Sequence, residues 1–143
     1  MIIHATDFSP ASRAAFRKAV ELTRQTGDRL LLVHVLNPAL LFVGERPIMP
    51  PTYGRLQAAS RAWALTQLTR LTARARAARV RVTSLLLEGS EAGTIVRLAR
   101  AQRAAMIVIG THGRTGIERM LLGSVAARVV SLASCPVMTV RGR

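Results

Sequence analysis

Along this chain, short unbroken apolar runs alternate with longer stretches in which apolar residues recur at helical spacing. Residues 2–6 are such a run, as expected for a strand buried on both faces. Asp7-Phe8-Ser9-Pro10 follows, and Ser9 then Pro10 reads as an N-cap with proline at the first helical position. Ala15, Ala19, Val20 and Leu22 continue with helical spacing, and Gly27 stands where that helix should stop. Residues 30–36 form a second buried-type strand. Residues 37–54 break the rhythm: Pro38, Pro47, Pro50 and Pro51, with Gly44 and Gly54, predict an extended loop. A helix is predicted over 55–78, with Ala58, Ala62, Leu65, Leu68 and Leu71 as its apolar face and Arg70, Arg74 and Arg76 largely turned away. Residues 80–87 begin with polar alternation, the mark of a partly exposed strand. Gly89-Ser90 opens a third helix running to about residue 103, and 104–109 is the most uniformly apolar strand. A glycine-rich loop over 110–123, a helix over 124–134 and a strand over 136–140 complete the pattern.

Strand–helix alternation of this kind implies parallel strands, right-handed crossovers and helices on both faces of one sheet. The runs at 2–6, 30–36 and 104–109 have interior character. Those at 80–87 and 136–140 read as edges, one by its arginine and one by its proline start. Strand order 3-2-1-4-5 satisfies both conditions and makes the chain a single-domain α/β protein over residues 1–143, with an open, Rossmann-like five-stranded sheet. In that order the direction of travel reverses between the first and fourth strands. Open α/β sheets bind ligands in the crevice at that point, beyond the carboxyl ends of the strands. Asp7 and Gly110 are the residues placed there.

Composition narrows the class. With 143 residues, the chain suits one core. It carries 21 Lys+Arg against 7 Asp+Glu, a formal charge of +14, and its one lysine is Lys18. A single cysteine excludes an internal disulfide and a cysteine-rich zinc site. No apolar run approaches the roughly 20 residues of a membrane helix, and no signal peptide opens the chain, so a cytoplasmic location without membrane attachment is expected. The charge invites a nucleic-acid reading, but no recognition motif accompanies it.

The loop after the fourth strand reads Gly110-Thr111-His112-Gly113-Arg114-Thr115-Gly116 and ends in Gly123-Ser124 at the start of a helix. Glycines let backbone amides approach an anion, and a helix N-terminus offers unused N–H groups and a favourable dipole. Ser124 could add a hydroxyl donor, and Arg114 or Arg119 could pair with phosphate oxygens. The same residues also fit a plainer role, glycines for turn geometry and Ser124 as an N-cap. The glycines at 110, 113 and 116 do not form G-x-G-x-x-G, and no Gly-Lys-Ser/Thr is present for a Walker A loop.

Gly110-x2-Gly113-x9-Gly123-Ser124 resembles the ATP-binding signature of the universal stress protein family. The resemblance extends to Thr6-Asp7-Phe8-Ser9, His34-Val35, the HGRTG run at 112–116, Leu121-Leu122-Gly123-Ser124-Val125-Ala126 and Cys135-Pro136-Val137. It implies an adenine nucleotide alpha hydrolase-like fold and a regulatory protein that binds ATP, with Mg²⁺ or Mn²⁺ held through the phosphates. It further implies a homodimer through the last strand, 136–140. By the same resemblance, Asp7 would take the ribose hydroxyls and Val35 would meet the adenine through its backbone. Ala5 and Ile109 would line the pocket, Gly110 would lie against the ribose, and Gly113, Gly123, Ser124 and Val125 would hold the phosphates. Ala5 replaces a proline found in certain ATP binders, and Ala126 replaces a residue that can offer a hydroxyl.

Other candidates carry less chemistry. His4, His34 and His112 are scattered and have no ligand spacing, so a protein-held metal is not expected. Cys135 reads as a small buried residue. Asp7 is the one acid at the crevice, so binding, or at most slow hydrolysis, is expected. Tyr53 and Trp63 lie near the proline-rich loop and form no stacking platform for single strands. The arginines over 70–81 read mainly as a solvated helix face. The competing function is non-specific association with nucleic acid through net charge.

Overall fold

The computed structural model describes residues 1–38, 41–43, 46–48, 53–111 and 122–142. Its elements run β1 (Ile2–Ala5), α1 (Pro10–Thr26), β2 (Arg29–Leu36), β3 (Leu41–Val43), β4 (Arg46–Ile48), α2 (Tyr53–Ala77), β5 (Arg81–Glu88), α3 (Glu91–Ala101), β6 (Met106–Gly110), α4 (Ser124–Leu132) and β7 (Val137–Val140). Five strands form one parallel sheet in the order β5-β2-β1-β6-β7. Counting those five in chain order gives 3-2-1-4-5, as the apolar pattern predicts. Every residue of β1 is buried, and β2 is buried from Leu30 to Val35.

Side-chain alternation divides the interior into two layers. Ile3, Ala5, Leu31, Val33, Val35, Ile107 and Ile109 pack on Ala92, Ile95 and Ala99 of α3 and on Ala126 and Val129 of α4. Ile2, Leu30, Leu32 and Val108 meet Ala15, Phe16 and Ala19 of α1 and Leu68, Leu71 and Ala75 of α2. The ends of α1 are those expected. The Ser9 hydroxyl accepts the Ser12 N–H at 3.2 Å, Pro10 stands at the start, and Gly27 closes the helix at φ 70°, a conformation that suits glycine.

Two local expectations change. Within 37–54 the structure forms an antiparallel hairpin, with Leu41 opposite Ile48, Phe42 opposite Pro47 and Val43 opposite Arg46. A two-stranded ribbon has a free edge on each strand, so Pro47 can sit where its missing N–H is not needed. On α2 the buried stripe is Ala64, Leu68, Leu71 and Ala75, while Leu65 is 47% exposed and Ala58 and Ala62 are exposed too. Leu68 and Leu71 are buried as expected, but the buried positions of this 25-residue helix run from Ala64 onward, so the expectation fails at Ala58, Ala62 and Leu65.

Candidate functional site

The β1–α1 turn leaves the sheet at the point where strand order reverses, and its geometry is set by short polar side chains. Thr6 N–H donates to the Val33 carbonyl at 2.9 Å, extending the β1–β2 ladder by one bond. Thr6 Oγ1 accepts the Phe8 N–H at 3.1 Å and meets the Ser12 hydroxyl at 2.6 Å. The Ser9 N–H donates to Asp7 Oδ1 at 3.0 Å, which orients the carboxylate beyond the end of β1. His34 Nδ1 lies 2.7 Å from the Thr6 carbonyl oxygen, so that nitrogen carries the proton and donates. Phe8 adopts φ 66°, an unusual conformation for a bulky residue. Its ring packs 4.6 Å from that of His34 and edge-on to Trp63 at 5.2 Å.

Across the crevice, β6 ends at Gly110. A Cβ there would lie 2.8 Å from the backbone of Ala11 and Ser12, so glycine is required by the docking of α1 whether or not a ribose lies nearby. Gly142, beyond β7, presses on Ala11 in the same way, with its Cβ direction 2.8 Å from the Ala11 backbone. Thr111 N–H donates to the Val140 carbonyl at 2.9 Å, and the Thr111 carbonyl accepts the Gly123 N–H. That last bond brings the start of α4 back to the end of β6. Gly123 is the N-cap, in extended conformation, and as glycine it makes no side-chain cap bond. Ser124 is therefore the first helical residue, not the cap, which removes the plainer reading of that serine. The leading N–H groups of an α-helix have no partner within it, and here the Gly123–Thr111 bond places them beyond the carboxyl end of β6.

The residues expected to line a pocket fall as follows. Ala5 and Ile109 are register partners on β1 and β6, and Val35 ends the same layer on β2. All three are buried, with Val125 and Leu122 packed against the same layer. Asp7, Gly110, Gly123 and Ser124 lie at the carboxyl ends of the strands around them. Gly113, His112, Arg114 and Arg119 fall outside the described residues. The chain pattern missed Thr6, Ser12 and Thr111, whose bonds build the two loops. A hydroxyl beside an N-cap and another after a strand are the signals that could have found them.

His4 faces the opposite layer and takes no part in the crevice. It is fully buried 6.0 Å from Phe16, with Nδ1 3.0 Å from the Val108 carbonyl and Nε2 without a partner. Burial lowers its pKa from 6.5 to about 4, against smaller opposing effects of that hydrogen bond and of Asp7. Among the described residues no three His, Cys, Asp or Glu side chains cluster as metal ligands. Nor is any helix there long and apolar enough to cross a membrane.

The model of the universal stress protein family matches residues 1–141. A universal stress protein of Thermus aquaticus is 33% identical over 140 residues, covering 98% of this chain and 97% of its own. One from Methanocaldococcus jannaschii is 50% identical over 62 residues, a match that spans 43% of this chain and 36% of that protein. Among solved structures, a universal stress protein of Archaeoglobus fulgidus in complex with dAMP superimposes with a TM-score of 0.70 at 26% identity, covering 97% of this chain and 95% of that one.

Proposed function

The chain belongs to the universal stress protein family, and we propose that it is a regulatory protein that binds an adenine nucleotide, ATP foremost, in the crevice between β1 and β6. One observation carries this reading: the Gly123 N–H ties the start of α4 to the end of β6, while the Ser9 N–H orients the Asp7 carboxylate beyond the end of neighbouring β1, at the reversal of strand order. A carboxylate accepts well from the two hydroxyls of a ribose, and the leading N–H groups of a helix donate to phosphate oxygens. The relative captured with dAMP supports the same class of ligand.

In this reading Asp7 holds the ribose, and the Val35 backbone meets the adenine between Ala5 and Ile109. Gly110 lets the ribose approach, and Gly113, Gly123, Ser124 and Val125 hold the phosphates. Mg²⁺ or Mn²⁺ rides on the phosphates, because the described residues supply no ligand cluster. Asp7 is the acid that the chain order places at the crevice, and binding, with at most slow hydrolysis, is the expected activity. The protein acts in the cytoplasm as a homodimer paired through β7, an edge strand of the sheet.

Calorimetry with ATP and with adenosine tests the site. Asp7→Ala should weaken both ligands about tenfold or more, since a hydrogen bond to a charged group contributes ~1.5–3 kcal/mol. Gly113→Val should weaken ATP and leave adenosine nearly unchanged. Equal ATP affinity in all three proteins would overturn the assignment.

A further inference from the structure

The pole opposite the crevice, where the parallel strands begin, holds a second concentration of charge. A groove of about 310 Å³ there is lined by Met1, Arg29, Arg76, Val80, Arg81 and Thr83, among others. Arg29 and Arg81 are register partners on β2 and β5. Their backbones are therefore about 4.8 Å apart, one strand spacing, and Arg76 from the last turn of α2 joins them. Like charges placed opposite each other on neighbouring strands are unfavourable. Among the described residues no carboxylate forms an ion pair with any of the three. The nearby acid, Asp28, is held by the Met1 ammonium at 2.8 Å and by the Thr26 hydroxyl at 3.2 Å. That ammonium bond chiefly, and Arg81 more weakly, keeps its carboxyl below the usual range. Arg81 donates to the Gly27 carbonyl at 2.8 Å, which fixes its guanidinium without neutralising it.

The helix ends on this pole add a second observation. After α2, Arg79 N–H bonds the Arg76 carbonyl and Val80 N–H bonds the Ala75 carbonyl. After α3, Arg103 N–H bonds the Arg100 carbonyl and Ala104 N–H bonds the Ala99 carbonyl. Both are Schellman turns, whose left-handed position usually belongs to glycine. Here it belongs to Arg79 at φ 61° and Arg103 at φ 47°, at a cost of ~1 kcal/mol each relative to glycine. The negative ends of the helix dipoles favour cations nearby. They do not explain arginine at a strained position, nor two arginines side by side on β2 and β5.

We propose that this pole docks the phosphate backbone of a duplex nucleic acid, held by Arg29, Arg76 and Arg81 without base readout. Guanidinium forks match phosphate oxygens, and the net charge of +14 favours a polyanion. No aromatic side chain lines the groove, so unstacked bases have no platform there and the duplex is the form that fits. The proposal is independent of the nucleotide crevice, which lies at the other end of the sheet.

Fluorescence anisotropy of a labelled random-sequence DNA duplex, read across a salt series with the full chain, provides the test. The wild type should bind with a log affinity that falls linearly with log salt. The triple Arg29→Gln/Arg76→Gln/Arg81→Gln should weaken binding about tenfold or more at low salt and reduce the slope by roughly 2–3, near 0.9 per lost phosphate contact. A charge-matched triple, Arg17→Gln/Arg128→Gln/Arg141→Gln, should keep the slope, and circular dichroism should show both variants folded. Equal losses in the two triples, equal affinity for polyglutamate, or no binding by the wild type would each overturn the proposal.

Discussion

At the scale of single residues, His4 is the group whose chemistry most exceeds its visible role. Its imidazole is neutral in the folded state because burial holds its pKa near 4, against 6.5 when exposed. The unfolded chain therefore binds a proton more readily than the folded one between those values. Stability is then constant above about pH 6.5 and falls as the pH drops toward 4, by ~3 kcal/mol in all for a shift of this size. Urea denaturation from neutral pH to pH 4 should show that slope, and His4→Leu should remove most of it. Asp7 teaches a different lesson. The chain order places it at the crevice, but the orientation of its carboxylate depends on the Ser9 N–H, and the turn itself on Thr6, Ser12 and His34. Thr6 and Ser12 are small hydroxyl residues whose partners lie across a turn, which a linear pattern does not rank.

At the scale of elements, the strands and their edges were legible because buried parallel strands are unbroken apolar runs. The hairpin β3–β4 was not, because proline content does not report strand pairing, and of the α2 stripe only Leu68 and Leu71 were, because a helical period does not say which half of a helix meets the sheet. β7 illustrates what an edge implies. The Pro136 and Val140 carbonyls accept from Ile107 and Thr111 on the β6 side. By strand alternation the Val137 and Thr139 backbone groups face outward. If β7 pairs with its counterpart in a second copy, Thr139→Pro removes an outward N–H while keeping the β6–β7 bonds. Light scattering should then show a dimer for the wild type and a monomer for the variant at micromolar concentration; a wild-type monomer would refute the pairing.

At the scale of the whole molecule, the sheet separates two kinds of positive potential. One is the directed set of N–H groups at the start of α4, and the other is the arginine-rich pole where the strands begin. A field from +14 charges should draw a polyanionic nucleotide and be screened by salt. ATP affinity, measured by calorimetry from low to molar salt, should fall markedly while adenosine affinity stays nearly constant; parallel behaviour of the two would remove the phosphate contribution. By itself the sequence determined the α/β class, the strand order and the capped start of α1, because these follow from local periods and turn chemistry. Tertiary structure decided that Gly110 is fixed by the backbone of α1, that Gly123 and not Ser124 caps α4, and that Arg29 and Arg81 stand side by side. Each of these depends on an approach between segments distant in the chain, set by the packing of helices on the sheet and by strand register.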